Sequence, residues 1–158
     1  MGSHCEHLRV VFHILKDHVL CVNFKKCCFW VEQLDYLGHL ISGNEIQANP
    51  DKISAMSQWP SPKDIHGVRG FLGLTGYYRR FVKNYGVIAR PLTQLLRKNK
   101  FQWSQEAQMA FEELKMNMVS LPTLTLPNFN IPFEIESDAS GFGIGAVLMQ
   151  QGQPLAFC

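Results

Sequence analysis

The chain has 158 residues, 15 Lys/Arg and 13 Asp/Glu, room for one ordinary domain or two small ones. No stretch approaches eighteen uninterrupted apolar residues, which argues against a helical membrane span, and "MGSHCEHLRV" lacks the basic-then-apolar layout of a secretory signal. The net charge of +2 hides an asymmetry: residues 1–62 carry five basic and six acidic side chains (−1), residues 63–100 nine and one (+8), and residues 101–158 one and six (−5), so the middle block has the footprint of a polyanion contact.

In chain order, Leu8, Val11, Phe12, Leu15 and Val19 step by three and four and predict an amphipathic helix. "LCVNFKKCCFWVEQLDYLGHLIS" reads as strand segments, with a turn at Asn23–Lys26 and another at "SGNE". The cysteines at 5, 21, 27, 28 and 158 lack CxxC spacing, which suits free thiols and a reducing compartment. His4, Cys5, His7, Cys21 and Cys27 match no common zinc pattern, and Cys27 and Cys28 are expected to be buried. Glu6 also rules out a myristoylation signal.

Asn49 and Pro50 predict the cap and first position of a short helix that ends at "WPSP". Ser61, Pro62 and Asp64 predict the start of the next helix, closed by "KNYG". A third helix is expected behind Pro91 and a fourth behind Ser104. "LPTLTLPNFNIP" reads as a connector, followed by strands at "FEIESD", "IGAVLMQ" and "PLAFC", with turns at "SGFG" and "QQGQ". The expected class is α+β.

The helix in "HGVRGFLGLTGYYRR" carries glycines at 67, 70, 73 and 76. Each costs about 0.8–1 kcal/mol relative to alanine in a helix interior. On a wheel of about 100° per residue, Val68, Phe71, Leu72, Thr75, Tyr78 and Val82 take the core side. Gly76, Arg69, Arg80, Gly73, His66, Tyr77 and Gly70 share the other side, and Gly67 lies at the edge of the buried side. A bare stripe edged by guanidinium groups and an aromatic ring suits close approach of a nucleic-acid groove. Tight packing within the chain, with the arginines turned to water, is the alternative.

"YLGHLIS", "NPDKISAMSQWPSPKDIHGVRGFLGLTGYYRRF", "IARPLTQLL", "AFEELK", "LPNFNIPFEIESDASGFGIGAVLMQ" and "PLAF", in that order, closely resemble Ty3/gypsy-type retrotransposon polyproteins. The resemblance implies the end of a reverse transcriptase palm with its primer-grip hairpin (1–48), a helical thumb bundle (49–99), and a connector helix with a truncated RNase H-like antiparallel sheet (100–158). It puts Tyr36, Leu37 and Gly38 in the primer grip, which positions the primer's 3′ end, and Arg69, Gly73 and Tyr77 on the thumb helix that follows the minor groove. Asp138 is similar to the first RNase H carboxylate, a metal ligand in a full-length parent.

The chain departs from the family pattern at Glu45 and Asn49, where Gly and Asp are usual, and at Gly67 and Gly70, where larger polar residues are common. It contains no YxDD motif, so polymerization by this chain alone is not expected. Glu136 and Glu134 lie roughly 7 Å per two residues along the strand from Asp138, too far to share one metal closely. Mg²⁺ is expected in the full-length parent, with only weak affinity at Asp138 here. The expected partners are an RNA–DNA hybrid or DNA template–primer and the remaining polyprotein domains, without a membrane, in cytoplasmic element particles or the nucleus. Two alternatives are a co-opted module that binds a protein through an apolar patch, and a degenerate copy whose open sheet edges favour aggregation.

Overall fold

The apolar spacing that begins at Leu8 forms helix α1 (Gly2–Asp17) in the computed structural model, which describes residues 2–97, 101–140 and 143–158. With a 3-10 turn at Phe24–Lys26, capped by Asn23, α1 makes up the first of two units, Met1–Val31. This unit buries none of its described residues. The strands expected across residues 20–32 do not form, and Cys27 is only half-buried while Cys28 is exposed. The correction has a physical cause: a β-rich run without an adjacent strand has no ladder to join. All five cysteines are free thiols.

The second unit, Glu32–Cys158, holds the remaining elements. Strands β1 (Gln33–Tyr36), β2 (His39–Ser42), β3 (Glu45–Ala48) and β4 (Leu124–Thr125) form an antiparallel sheet in that order. The two-residue strand β4 lies in the stretch read as a connector, and its Thr125 pairs with Glu45. Helix α2 (Pro50–Ser57) starts as expected, with the Asn49 side chain accepting from the Asp51 amide.

Helix α3 (Ile65–Tyr77) starts one turn later than Ser61 and Pro62 indicate. Its cap is Asp64, whose carboxylate accepts from the Gly67 amide at 2.8 Å, while Pro62 is buried against Gly67. It ends at Tyr77 rather than "KNYG", giving way to a 3-10 turn at Arg79–Phe81. Helix α4 (Tyr85–Gln94) begins after Asn84 and carries Pro91 inside, not at its start. Helix α5 (Gln105–Val119) follows its Ser104 cap. Strands β5 (Glu134–Ser140), β6 (Gly143–Gln150) and β7 (Gln153–Phe157) form the second antiparallel sheet. Residues 141 and 142 of the expected "SGFG" turn lie outside the described residues.

Two apolar clusters hold this unit. Val68 and Phe71 of α3 pack with Ala89 and Leu92 of α4 and with Ala107, Phe111 and Leu114 of α5. The Phe71 and Phe111 ring centroids are 4.5 Å apart, and each fully buried ring contributes about 1.5–3 kcal/mol. Ile46, Met56, Tyr78, Phe81, Met118 and Leu124 form the second cluster, joining β3, α2, the 3-10 turn, α5 and β4. That burial of Tyr78 and Phe81 anchors the chain where α3 ends.

Candidate nucleic-acid interface

The buried stripe of α3 runs through Val68, Phe71 and Thr75, so the opposite face is left to solvent. His66, Arg69, Gly70, Gly73 and Tyr77 are exposed there. The four glycines differ. A Cβ at Gly73 would meet nothing within 4 Å, and one at Gly76 would make ordinary contact with the Tyr85 hydroxyl at 3.5 Å. At Gly67 and Gly70 a Cβ would press on Pro62 and on the Trp59 ring, each at 3.2 Å. Two glycines therefore make room inside the chain, and Gly73 leaves bare helix backbone on the surface.

Seven basic side chains between Lys63 and Arg97 are described, and none lies within salt-bridge distance of a carboxylate among the described residues. Arg80 belongs to the 3-10 turn that follows α3 and is near enough to Tyr77 and His39 to interact with both electrostatically. Its guanidinium lies over the Phe81 ring at 5.1 Å, and burial disfavours its charged form. The buried Arg80 Nε has no partner among the described residues.

The β1–β2 hairpin adjoins the C-terminal end of α3. Tyr36 pairs with His39, so Leu37 and Gly38 form a two-residue turn, both with positive φ (50° and 76°). For leucine the left-handed conformation costs about 1–2 kcal/mol. Four donors hold the two turn carbonyls. The Tyr77 hydroxyl and His39 Nδ1–H donate to the Leu37 carbonyl, and the Tyr78 hydroxyl and the Asn49 amide donate to that of Gly38. Asn49 Nδ2 also donates to Asp35 at 2.7 Å. Gly38 admits no side chain here, since a Cβ would sit 2.9 Å from the Tyr78 oxygen.

His39 is buried among the Tyr77, Tyr78 and Phe81 rings. Because a carbonyl only accepts, Nδ1 carries the proton and Nε2 is left without a partner among the described residues. Burial and then the Arg80 charge hold its pKa below the ordinary histidine value. Tyr36 and Leu37 stay exposed at the tip. Tyr78, His39 and Asn49 were absent from the sequence-derived site. Helical spacing places Tyr78 on the core side, but its hydroxyl partner lies 40 residues away in sequence.

Asp138 lies on β5 opposite Gly145, exposed, beside a pocket that Lys83, Asn84 and Glu136 also line. Among the described residues no group of three or more His, Cys, Asp or Glu could hold a metal ion. Asp138 and Glu136 alone do not fit a two-ion hydrolytic site.

The profile of the RNase H-like domain found in reverse transcriptase matches residues 103–158. An uncharacterized mitochondrial protein of Arabidopsis thaliana is 52% identical over 129 residues, covering 80% of this chain and 82% of that protein. The retrovirus-related Pol polyprotein from transposon 297 of Drosophila melanogaster is 39% identical over 159 residues. That match covers 99% of this chain but only 15% of the polyprotein. Among solved structures, the foamy viral protease-reverse transcriptase in complex with RNA/DNA hybrid superposes with a TM-score of 0.84 at 22% identity, over 99% of this chain and 22% of that one.

Proposed function

Because the chain belongs to the Ty3/gypsy-type retrotransposon reverse transcriptases, corresponding to their reverse transcriptase–RNase H region, we propose that it holds a template–primer duplex. The observation that carries this reading is the open face of α3, where Arg69, His66 and Tyr77 flank the bare backbone at Gly73 without an acidic neighbour in salt-bridge range among the described residues. Guanidinium groups hold phosphates, and missing side chains let the sugar edges of a minor groove come close. The β1–β2 tip, tied to the end of the same helix, meets the primer's 3′ end. In the longer polyproteins this region would serve RNA-directed DNA synthesis and RNA hydrolysis, with Mg²⁺ supplied through carboxylates that this sequence does not contain.

Fluorescence anisotropy of an RNA–DNA hybrid at several salt concentrations tests the reading. Arg69→Ala weakens binding and lowers the slope of log K against log salt by about 0.9, one phosphate contact. An unchanged slope contradicts it. A second reading, attachment to a protein partner, draws on Ile135 and Ile144, which are 71% and 80% exposed on the second sheet. That reading requires association insensitive to salt.

A further inference from the structure

We propose that Tyr78, together with the Asn49 backbone amide, is a positioning element that locks the β1–β2 turn in its left-handed form and so fixes where the exposed Leu37 side chain meets the primer terminus. The inference rests on the duplex-holding reading and assigns the grip's geometry to residues outside the contact face. A leucine at φ 50° persists only where its surroundings over-determine it. Here both turn carbonyls are saturated, each by two donors, and three of the four donors come from outside the turn and its flanking strands. The donors differ in their freedom. The Tyr77 ring is half exposed and can turn toward a ligand, whereas the Tyr78 ring is 1% exposed and packed with Met56, Phe81 and Met118. The Tyr78 hydroxyl therefore reaches Gly38 from a fixed base, and its 2.8 Å bond sets the distance between the end of α3 and the hairpin tip. The groove face and the tip become one ruler, so a duplex seated on α3 has its strand end at a set place on the turn.

The test uses the full chain and two hybrids of equal length, one with a recessed primer 3′ end and one in which that end is closed by a loop. The native chain prefers the recessed end. Tyr78→Phe removes one hydroxyl and keeps the ring, and it lowers the recessed-to-closed affinity ratio by about threefold to tenfold, with the salt slope unchanged. Tyr85→Phe is the control, because it removes a hydroxyl bonded to Thr75 on the same helix and keeps the native ratio. An unchanged ratio in Tyr78→Phe, an equal fall in Tyr85→Phe, or a native chain that binds both hybrids alike overturns the proposal. Amide hydrogen exchange without nucleic acid decides the lock separately. In Tyr78→Phe, exchange rises at Leu37–Leu40 and stays constant at Val68, and unchanged exchange at the turn rejects the lock. If the native chain binds neither hybrid, the duplex-holding reading fails while the exchange result still stands.

Discussion

Leu37, Gly38 and His39 concentrate the cost of the hairpin in three residues. A left-handed leucine and a histidine whose buried nitrogen has no partner among the described residues each disfavour folding alone, and the turn between them admits only glycine at position 38. The histidine also ties the turn to pH. Arg80, Asp35, Tyr77 and Tyr78 are the charged or titratable groups around it, and of these Arg80 opposes its protonation while Asp35 favours it. Its folded pKa lies below the unfolded value of about 6.5, so the unfolded chain binds more protons. Stability is therefore complete above that pH and falls as pH drops through the window below it. Urea midpoints at pH 7.5 and pH 5 measure this fall, and His39→Asn, which keeps a donor for the Leu37 carbonyl, reduces it. An equal fall in the variant would assign the pH dependence to other groups. None of this is legible in "YLGHL", where Gly38 signals a turn but nothing names the donors that reach it from Tyr77 and Tyr78.

At the scale of elements, propensity rules found the helices and misplaced several ends. Ser61 and Asp64 are both good caps three residues apart, and the choice falls to Asp64 because Pro62 turns inward onto Gly67 instead of opening the helix. Asp64→Ala is therefore expected to cost about 0.5–2 kcal/mol in a urea titration, and Ser61→Ala little. The reverse order would restore the earlier start. Helical spacing runs on to Val82, but α3 stops at Tyr77 as Tyr78 and Phe81 enter the second cluster, and Arg80 falls in the 3-10 turn that follows. Proline at a first helical position is only a preference, and α4 starts six residues before Pro91. Strand β4 was invisible for another reason: two residues carry no period, and their partner in β3 lies some 80 positions earlier. By contrast, Asn49, Ser104 and the alternation of "IGAVLMQ" were readable because their signals are local.

At the scale of the molecule, the charge division of the sequence persists as side chains without ion-pair partners among the described residues. The described basic side chains of the middle block have no acidic partner among the described residues, and the six acids of the last block include Glu134, Glu136 and Asp138, all exposed on β5. Gly73 gives the most direct test of the central claim, that the open side of α3 lies against a paired polynucleotide. Among the described residues nothing lies within 4 Å of a Cβ placed there, and replacing an interior helical glycine with leucine favours the helix by about 0.5–1 kcal/mol. The account predicts that Gly73→Leu keeps or raises the urea midpoint while weakening RNA–DNA hybrid affinity about tenfold or more, roughly the 1.4 kcal/mol of lost groove contact. Hybrid affinity equal to that of the native chain, with the fold equally stable, would contradict it.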